Sequence, residues 1–227
     1  MSRNINNKIV VITSDAFSLL NFRLELMKDM ISRGYKVYAM APDYSKTYKI
    51  KLKESGITPI DINLARTSLN PFRSFYELIR LTCRLRTIRP NSTLCYFVKP
   101  VLIGNIAAFF AGIRNRYTII EGLGNSRSYI LNSLFYKFFF IYSCKIALFR
   151  TKQVFFTNHD DKDFFLLNRI IKDKFMVYLG GIGVDLNFWD CPRKHVKENN
   201  TITFIMATRL LRTKEGMIYL EAAEKIK

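Results

Sequence analysis

Two cations near the end of the chain have a spacing that suits a diphosphate. Arg209 and Lys214 lie five residues apart, after the apolar run TFIMA (203–207) and before MIYLEAAEKIK (217–227). The first segment predicts a buried strand, and the second predicts a helix rich in strong helix formers. Two cations before a helix could clamp a diphosphate, because the helix N-terminus adds its own partial positive charge. Taken alone, this motif is weak.

The tail that contains these cations is too short to be a domain. One strand and one helix cannot bury a core of their own. The tail therefore either packs onto the preceding residues or begins a domain that the chain does not finish. We expect one domain over residues 1–190, a polar linker over 191–200 and the incomplete start of a second domain over 201–227.

The elements that must position any site alternate along the chain. Seven β-rich runs are separated by helical segments, and they read KIVVIT, KVYAMA, ITPIDI, STLCYFV, RYTIIE, QVFFT and KFMVYL. Continuous apolar runs are typical of strands covered on both faces. Helices between the runs indicate βαβ crossovers. The sequence predicts an α/β fold with a doubly wound parallel sheet.

Ligands of such a sheet bind outside the carboxyl ends of its strands. Lys99 follows the fourth run, where it could pair with a phosphate or carboxylate, or simply be a solvated loop lysine. Gly122 and Gly124 follow the fifth run, and GGIGVD (180–185) follows the seventh. These glycines could let the backbone approach an anion, or only form turns. The segment after the first run lacks G-x-G-x-x-G, which disfavours a dinucleotide site.

Three aspartates follow the sixth run, in TNHDDKDFF. Asp161 and Asp163 form a D-x-D pattern that could hold a divalent metal. The favoured interpretation is structural, because Asn158 can cap a helix whose first turn gains from acidic residues such as Asp160. We expect no metal site and no cofactor.

The charge of the chain indicates an anionic partner. Thirty-six Lys and Arg oppose eighteen Asp and Glu, a net charge of +18. Nucleic acid, anionic lipid and phosphorylated ligands all satisfy that requirement. The four cysteines have no C-x-x-C spacing, which favours a reduced cytosolic compartment. The N-terminal residues do not resemble a signal peptide, and no uncharged apolar run is long enough to span a bilayer.

For each of two predicted helices, the sequence is compatible with more than one environment. The helix over residues 71–88 has three arginines on one face around Glu77, which could meet acidic headgroups or nucleic acid or could face solvent. Its predicted apolar face comprises Phe72, Tyr76, Ile79 and Cys83. The helix over residues 129–149 is apolar nearly all round. We favour a buried core helix, and the alternative is a helix at a bilayer interface with Lys137 and Lys145 among the headgroups.

The segments together resemble a known family. The chain is similar to family 4 glycosyltransferases of the GT-B fold, in the group that builds bacterial capsules and surface polysaccharides. The resemblance extends over residues 8–227, through FSLLNFRLELMKDMISRGYKVYAMAPD, RTSLNP, YFVKPVLIGNIAA, EGLG, VFFTNHDDKDFF, GGIGVDLNFW and ATRLLRTKEGMIYLEAA. The order and spacing of these segments make it fairly specific.

The resemblance implies two Rossmann-like domains with a cleft between them. The N-terminal domain would receive a lipid-linked glycan acceptor, and the C-terminal domain would hold a nucleotide-sugar donor, with a UDP-sugar as the expected form. Arg209 and Lys214 match the donor-diphosphate residues of the family. The matching cleft and acceptor-side residues are Asn21, Arg23, Lys99, Glu121, Gly122, Gly124, Gly183 and Asp185. The family transfers sugar with retention of configuration and needs no bound metal.

The resemblance is incomplete at two places. Glu215 stands where the family usually has a glycine after the motif lysine, and the E-x7-E segment of the family lies beyond Lys227. No catalytic residue can therefore be assigned. We expect a C-terminally truncated transferase with little or no activity alone, peripherally bound to the cytoplasmic face of the membrane. The alternatives are the acceptor-binding half of a two-subunit transferase and, less favoured, a basic nucleic-acid-binding protein.

Overall fold

A computed structural model describes residues 7–64, 70–123, 133–181, 183, 202–208 and 216–226. The chain divides into two compact units, residues 1–183 and residues 184–227. Each unit is described by itself below.

The first unit is built on a parallel sheet of seven strands in the order β3-β2-β1-β4-β5-β6-β7. All seven predicted strands are confirmed, and the α/β doubly wound fold with them. The chain runs outward from β1 to β3 and then returns to pair β4 with β1, which places the topological switch point between β1 and β4. The strands are β1 Lys8–Ile12, β2 Lys36–Ala41, β3 Thr58–Asp61, β4 Ser92–Tyr96, β5 Asn115–Ile120, β6 Gln153–Phe156 and β7 Met176–Tyr178.

Helices cover both faces of this sheet. Within the described part of the first unit they are α1 Ala16–Phe22, α2 Leu24–Ser32, α3 Lys46–Glu54, α4 Pro71–Ile88, α5 Val98–Phe110, α6 Leu134–Ala147 and α7 His159–Leu167. One buried cluster joins one face of the sheet to α1, α2 and α3, and a second joins the other face to α4, α5, α6 and α7. Alternate residues of β1 enter the two clusters, which explains why the strand is apolar along its whole length.

Local sequence signals set the helix ends. Asp15, Ser45 and Asn70 accept hydrogen bonds from the first-turn amides of α1, α3 and α4. Gly34 and Gly56 follow the ends of α2 and α3 with φ of +87° and +76°, conformations that a glycine adopts without strain. These glycines therefore mark the C-terminal ends of both helices.

Small residues allow α5 to lie close to the sheet. A Cβ atom added at Gly104 would lie 2.8 Å from the Cys95 sulfur in β4. Ala107 and Ala108 are likewise fully buried. The small residues of α5 therefore allow close packing against β4.

Helix α1 was not predicted. The apolar residues of segment 14–23 span too few positions to define a helical period. In the structure Ala16, Ser18 and Leu19 are buried, whereas Phe17 and Phe22 are about half exposed. The buried face thus combines a small, a polar and an apolar residue, whereas the two aromatic residues of the segment face solvent.

The predicted apolar face of α4 was wrong. Phe72 is 85% exposed, and Tyr76, Ile79 and Cys83 are exposed as well. The residues that α4 buries instead are Glu77, Leu81, Thr82 and Leu85. The helix has two apolar stripes, and the one that contains the leucines packs on the sheet.

The second unit is described at two short segments. Residues 202–208 form no strand, and Ile205 is 86% exposed, so the prediction of a buried strand at 203–207 was wrong. A strand needs a partner for its backbone groups, and no described residue supplies one here. The helix α8 Gly216–Ile226 confirms the other part of the prediction, and its Tyr219 hydroxyl donates to the Phe204 carbonyl at 2.9 Å.

None of the helices in the described ranges combines the length and the apolar character needed to cross a bilayer.

Candidate functional site

The candidate site lies at the carboxyl ends of β1, β4 and β5, which are neighbours in the sheet. Parallel strands end at one edge, so the segments that follow these three strands meet there. In doubly wound sheets the ligand crevice lies at this edge, at a switch point such as that between β1 and β4. Below, "the crevice" means this region, formed by residues 13–23, 96–99 and 121–122.

A hydroxyl network lines the β1 side of the crevice. The hydroxyl of Ser18 lies 3.2 Å from that of Thr13 and 3.4 Å from that of Tyr96, and it donates to the Asp15 carbonyl at 3.0 Å. Thr13, Ser18 and Tyr96 are all buried. Burial raises the pKa of Tyr96 to about 12, so the phenol remains neutral at physiological pH. The network can therefore hold a fixed geometry without a change in charge.

A buried ion pair joins the β1 and β5 sides of the crevice. The Arg23 guanidinium is paired with the Glu121 carboxylate, lies 4.9 Å from the centre of the Tyr96 ring and donates to the Phe22 carbonyl at 2.8 Å. Only 4% of Arg23 is exposed. Burial lowers the pKa of Arg23 from its ordinary value. The structure thus brings together two residues that the sequence placed at the cleft.

A second charged cluster lies beside the start of α5. Lys99 Nζ lies 2.9 Å from one Glu77 oxygen, and Arg73 Nε lies 3.2 Å from the other. Glu77 is 2% exposed, whereas more than half of the Arg73 side chain is exposed. Two cations share one carboxylate, so the cluster has a net positive charge, and an ammonium can donate three hydrogen bonds. The cluster can therefore attract an anionic group to the rim of the crevice.

Phe97 joins β4 to α5 in a strained backbone conformation. Its φ of +69° and ψ of +150° are values that a residue with a side chain rarely adopts. Strain of this kind persists where the surroundings enforce it, and it clusters at functional sites. The position of Phe97 between Tyr96 and Lys99 supports the assignment of this edge as the site.

The remaining predicted site residues are an exposed asparagine, two glycines with positive φ and four residues outside the described part of the chain. Asn21 is exposed and donates to the Phe17 carbonyl at 2.9 Å, so it lies on the surface of α1. Gly122 is exposed with φ of +114°, and Gly183 has φ of +76°. Four predicted residues lie outside the described ones, and they are Gly124, Asp185, Arg209 and Lys214.

The sequence analysis missed the crevice residues Ser18 and Tyr96 and the role of Glu77. Tyr96 belongs to an apolar strand run and gives no separate signal. Glu77 did give one, because it is the single acidic residue on α4 among several arginines. An isolated acid among cations on a helix is a candidate for a buried ion pair.

The aspartates after β6 serve the helix that follows. The Asn158 side chain accepts from the Asp161 amide at 2.8 Å and donates to the Asp161 carboxylate, also at 2.8 Å. Asp161 is 2% exposed. The capping interpretation of this segment is confirmed.

Helix α6 presents an aromatic surface to solvent. The prediction that favoured a buried core helix was wrong, because Cys144 and Ala147 are the buried residues of α6. Lys137 and Lys145 lie on the same helix. We use "aromatic surface" for the exposed apolar residues between positions 134 and 142, which are Leu134, Phe135, Tyr136, Phe138, Phe139 and Tyr142. As the crossover from β5 to β6, α6 begins near the edge that holds the crevice and runs away from it.

Solved structures share this architecture. A glycosyltransferase from Rickettsia africae matches 99% of this chain and 58% of its own, with a TM-score of 0.64 and 17% identity. A UDP-N-acetylglucosamine 2-epimerase matches 78% of this chain and 48% of its own, with a TM-score of 0.56 and 15% identity. The fold is GT-B-like. At these identities the structures show the fold alone, and they include both transferases and epimerases.

Sequence similarity links the chain to a transferase from Campylobacter jejuni. It is an N,N'-diacetylbacillosaminyl-diphospho-undecaprenol alpha-1,3-N-acetylgalactosaminyltransferase, 26% identical over 179 residues, which covers 74% of this chain and 44% of that protein. A scan of family models found no match. The chain spans about half the length of the proteins it matches. The similarities thus show a GT-B-like fold, and the sequence similarity is to a glycosyltransferase.

Proposed function

We propose that this chain supplies the acceptor-side domain of a retaining, nucleotide-sugar-dependent glycosyltransferase. The observation that carries the proposal is the similarity to a transferase whose acceptor is a diphosphate-linked lipid, together with a basic crevice at the switch point. The acceptor is a lipid-linked glycan at the cytoplasmic face of the membrane. The product belongs to a bacterial surface polysaccharide.

The crevice residues have distinct roles in this proposal. Lys99 and Arg73 attract the acceptor diphosphate, because their cluster with Glu77 has a net positive charge. The ion pair of Arg23 and Glu121 fixes the floor on which the acceptor sugar lies. These groups position an acceptor hydroxyl, and positioning of a nucleophile lowers the barrier to transfer.

The donor is held by the second unit in this proposal. Residues 201–227 form the start of a donor domain, and Arg209 and Lys214 contact the diphosphate of a UDP-sugar. In the reaction, the bond between the anomeric carbon and the diphosphate breaks, and a bond to the acceptor oxygen forms. The hydroxyl proton passes to an oxygen of the departing nucleoside diphosphate, which takes the electron pair of the broken bond. Cations near that diphosphate stabilise the charge as it develops.

The aromatic surface attaches the protein to the membrane. Exposed aromatic side chains insert at the headgroup boundary, and Lys137 and Lys145 meet anionic lipids. The net charge of +18 strengthens that attraction. Because α6 begins near the crevice, attachment through α6 brings the crevice close to a lipid-linked acceptor.

A transfer assay tests whether the acceptor and the donor are bound by separate domains. We expect the 227-residue chain alone to move radiolabelled sugar from a UDP-sugar to a lipid-linked acceptor at under about 1% of the rate of a two-domain transferase. Loss of about 3 kcal/mol of donor and leaving-group contacts already accounts for a factor of that size. Transfer at ordinary turnover by this chain alone would contradict its assignment as the acceptor-side domain.

The alternative is a two-subunit transferase. It is favoured by the first unit, whose seven-stranded sheet has helices on both faces. In that case a separate donor-binding protein would copurify with this chain and restore transfer. If adding such a protein leaves transfer unchanged, the alternative is excluded.

A further inference from the structure

An apolar groove lies between α5 and α6, at the edge of the sheet opposite the crevice. Helix α5 ends before β5 begins and α6 ends before β6, so the ends of both helices lie at the amino edge of the strands. The groove has a volume of about 410 Å³, within the usual range of ligand sites. Its lining residues are Ile106, Phe109, Phe110, Lys145, Ile146 and Phe149.

The walls of the groove are formed by packed aromatic rings. Phe109 contacts Phe110 and Phe149 edge to face, with ring centres 5.7 Å and 6.1 Å apart. Phe109, Phe110 and Phe149 nevertheless remain about half exposed. The rings therefore hold one another in place while leaving an apolar channel open to the surface.

The groove is surrounded by positive charge. Its lining includes one cation, Lys145, and no carboxylate. Arg150 stacks 5.2 Å from the Phe149 ring centre, and Arg86 donates to the Phe110 carbonyl at 2.9 Å. An apolar channel with this border is complementary to a molecule with a hydrocarbon body and an anionic head.

A buried guanidinium below the groove adds to the positive charge around it. Arg116 is 2% exposed, lies 5.2 Å from the Phe109 ring centre and donates to the carbonyls of Asn105 and Phe149 at 3.2 Å and 2.6 Å. Its Nε has no hydrogen-bond partner, and no carboxylate in the described part of the chain pairs with it. A buried cation without an opposite charge favours an anion nearby.

We propose that this groove binds one acyl chain of an anionic phospholipid, with the lipid phosphate against Lys145. Ile146 lies in the groove on the helix that also bears the aromatic surface, so the site is continuous with the surface that meets the bilayer. The proposal rests on the membrane attachment proposed above. It adds a discrete lipid site, distant from the crevice, that would anchor the far end of α6.

Binding of a monomeric lipid tests the groove without a bilayer. Dihexanoyl-phosphatidylglycerol below its micelle concentration is titrated into the 227-residue chain and followed by calorimetry. We expect Ile106→Trp, which fills the groove, and Ile146→Asn, at an exposed position, each to weaken binding at least about tenfold. Leu167→Ser, at an exposed position of α7, is the matched control and should leave binding unchanged. Lys145→Gln should reduce the preference over dihexanoyl-phosphatidylcholine.

Three results would overturn the proposal. They are equal affinity of the wild type for the two lipids, unchanged binding by both groove variants, and a concentration-dependent dimer that Ile146→Asn dissociates. The last would show that a second copy covers the groove. Because the lipid is monomeric and no sugar is moved, failure here is distinct from failure of transfer or of vesicle attachment. A chain that sediments with vesicles but binds no monomeric lipid refutes the groove alone.

Discussion

Replacement of Glu121 by alanine is expected to lower the free energy of unfolding by about 3–5 kcal/mol. The change leaves the Arg23 guanidinium buried and without its carboxylate. Arginine cannot shed its charge at any physiological pH, so the unfolded state gains by hydrating it. The Tyr96 ring and the Phe22 carbonyl remain as weaker partners. Urea unfolding followed by circular dichroism measures the loss.

An exposed ion pair provides the matched control. Glu25 pairs with Lys28 at 2.8 Å on the surface of α2, where both side chains are largely solvated. Glu25→Ala should cost under about 1 kcal/mol. The double variant Arg23→Met/Glu121→Leu should recover most of the stability, because it removes both charges from the crevice. Equal effects of Glu121→Ala and Glu25→Ala would show that the crevice ion pair is solvated.

Removal of three rings from α6 is expected to weaken binding to anionic vesicles at least about 100-fold. The variant is Phe135→Ser/Phe138→Ser/Phe139→Ser, at positions that are 74%, 71% and 66% exposed. Each ring contributes about 1 kcal/mol or more when it leaves water for the headgroup boundary. Sedimentation with phosphatidylglycerol vesicles measures the loss.

Two controls, the free energy of unfolding and the charge of the lipid, distinguish a loss of membrane binding from unfolding of the variant. The three rings are exposed, so the free energy of unfolding should change by about 0.5 kcal/mol or less at each position. Leu167→Ser, on α7, should leave vesicle binding unchanged. Wild-type binding should fall on neutral vesicles, because the attraction of the basic chain is then lost. Equal sedimentation with anionic and neutral vesicles would refute an electrostatic role of the surface.

The sheet could be predicted from sequence because its strands are buried on both faces. Such strands are continuously apolar, so runs such as KIVVIT and QVFFT stand out from the helices between them. Helix orientation was harder to predict. Helix α4 has apolar residues on two sides, and only packing decides that Leu81 and Leu85 turn inward while Phe72 and Tyr76 turn outward. The same limit led to the wrong assignment of α6 as a core helix.

The candidate site was predictable where a residue lies shortly after a strand. Glu121 directly follows β5 and Lys99 lies three residues after the end of β4, so the topology places both at the crevice. Their partners were not predictable, because Arg23 reaches Glu121 from a helix end nearly one hundred residues earlier in the chain. Pairings over such separations follow from strand order, which spacing along the chain does not reveal.

Selective binding of a lipid-diphosphate-linked saccharide tests the central claim most directly. Vesicles that contain a polyisoprenyl-diphosphate-linked saccharide are compared with vesicles in which phosphatidylglycerol supplies the same total charge. An acceptor-side domain should bind the first at least about tenfold more tightly, and Lys99→Met should remove the difference, because Lys99 supplies donors for the diphosphate. Equal binding of the wild type to both kinds of vesicle would contradict the assignment of this chain as the acceptor-side domain.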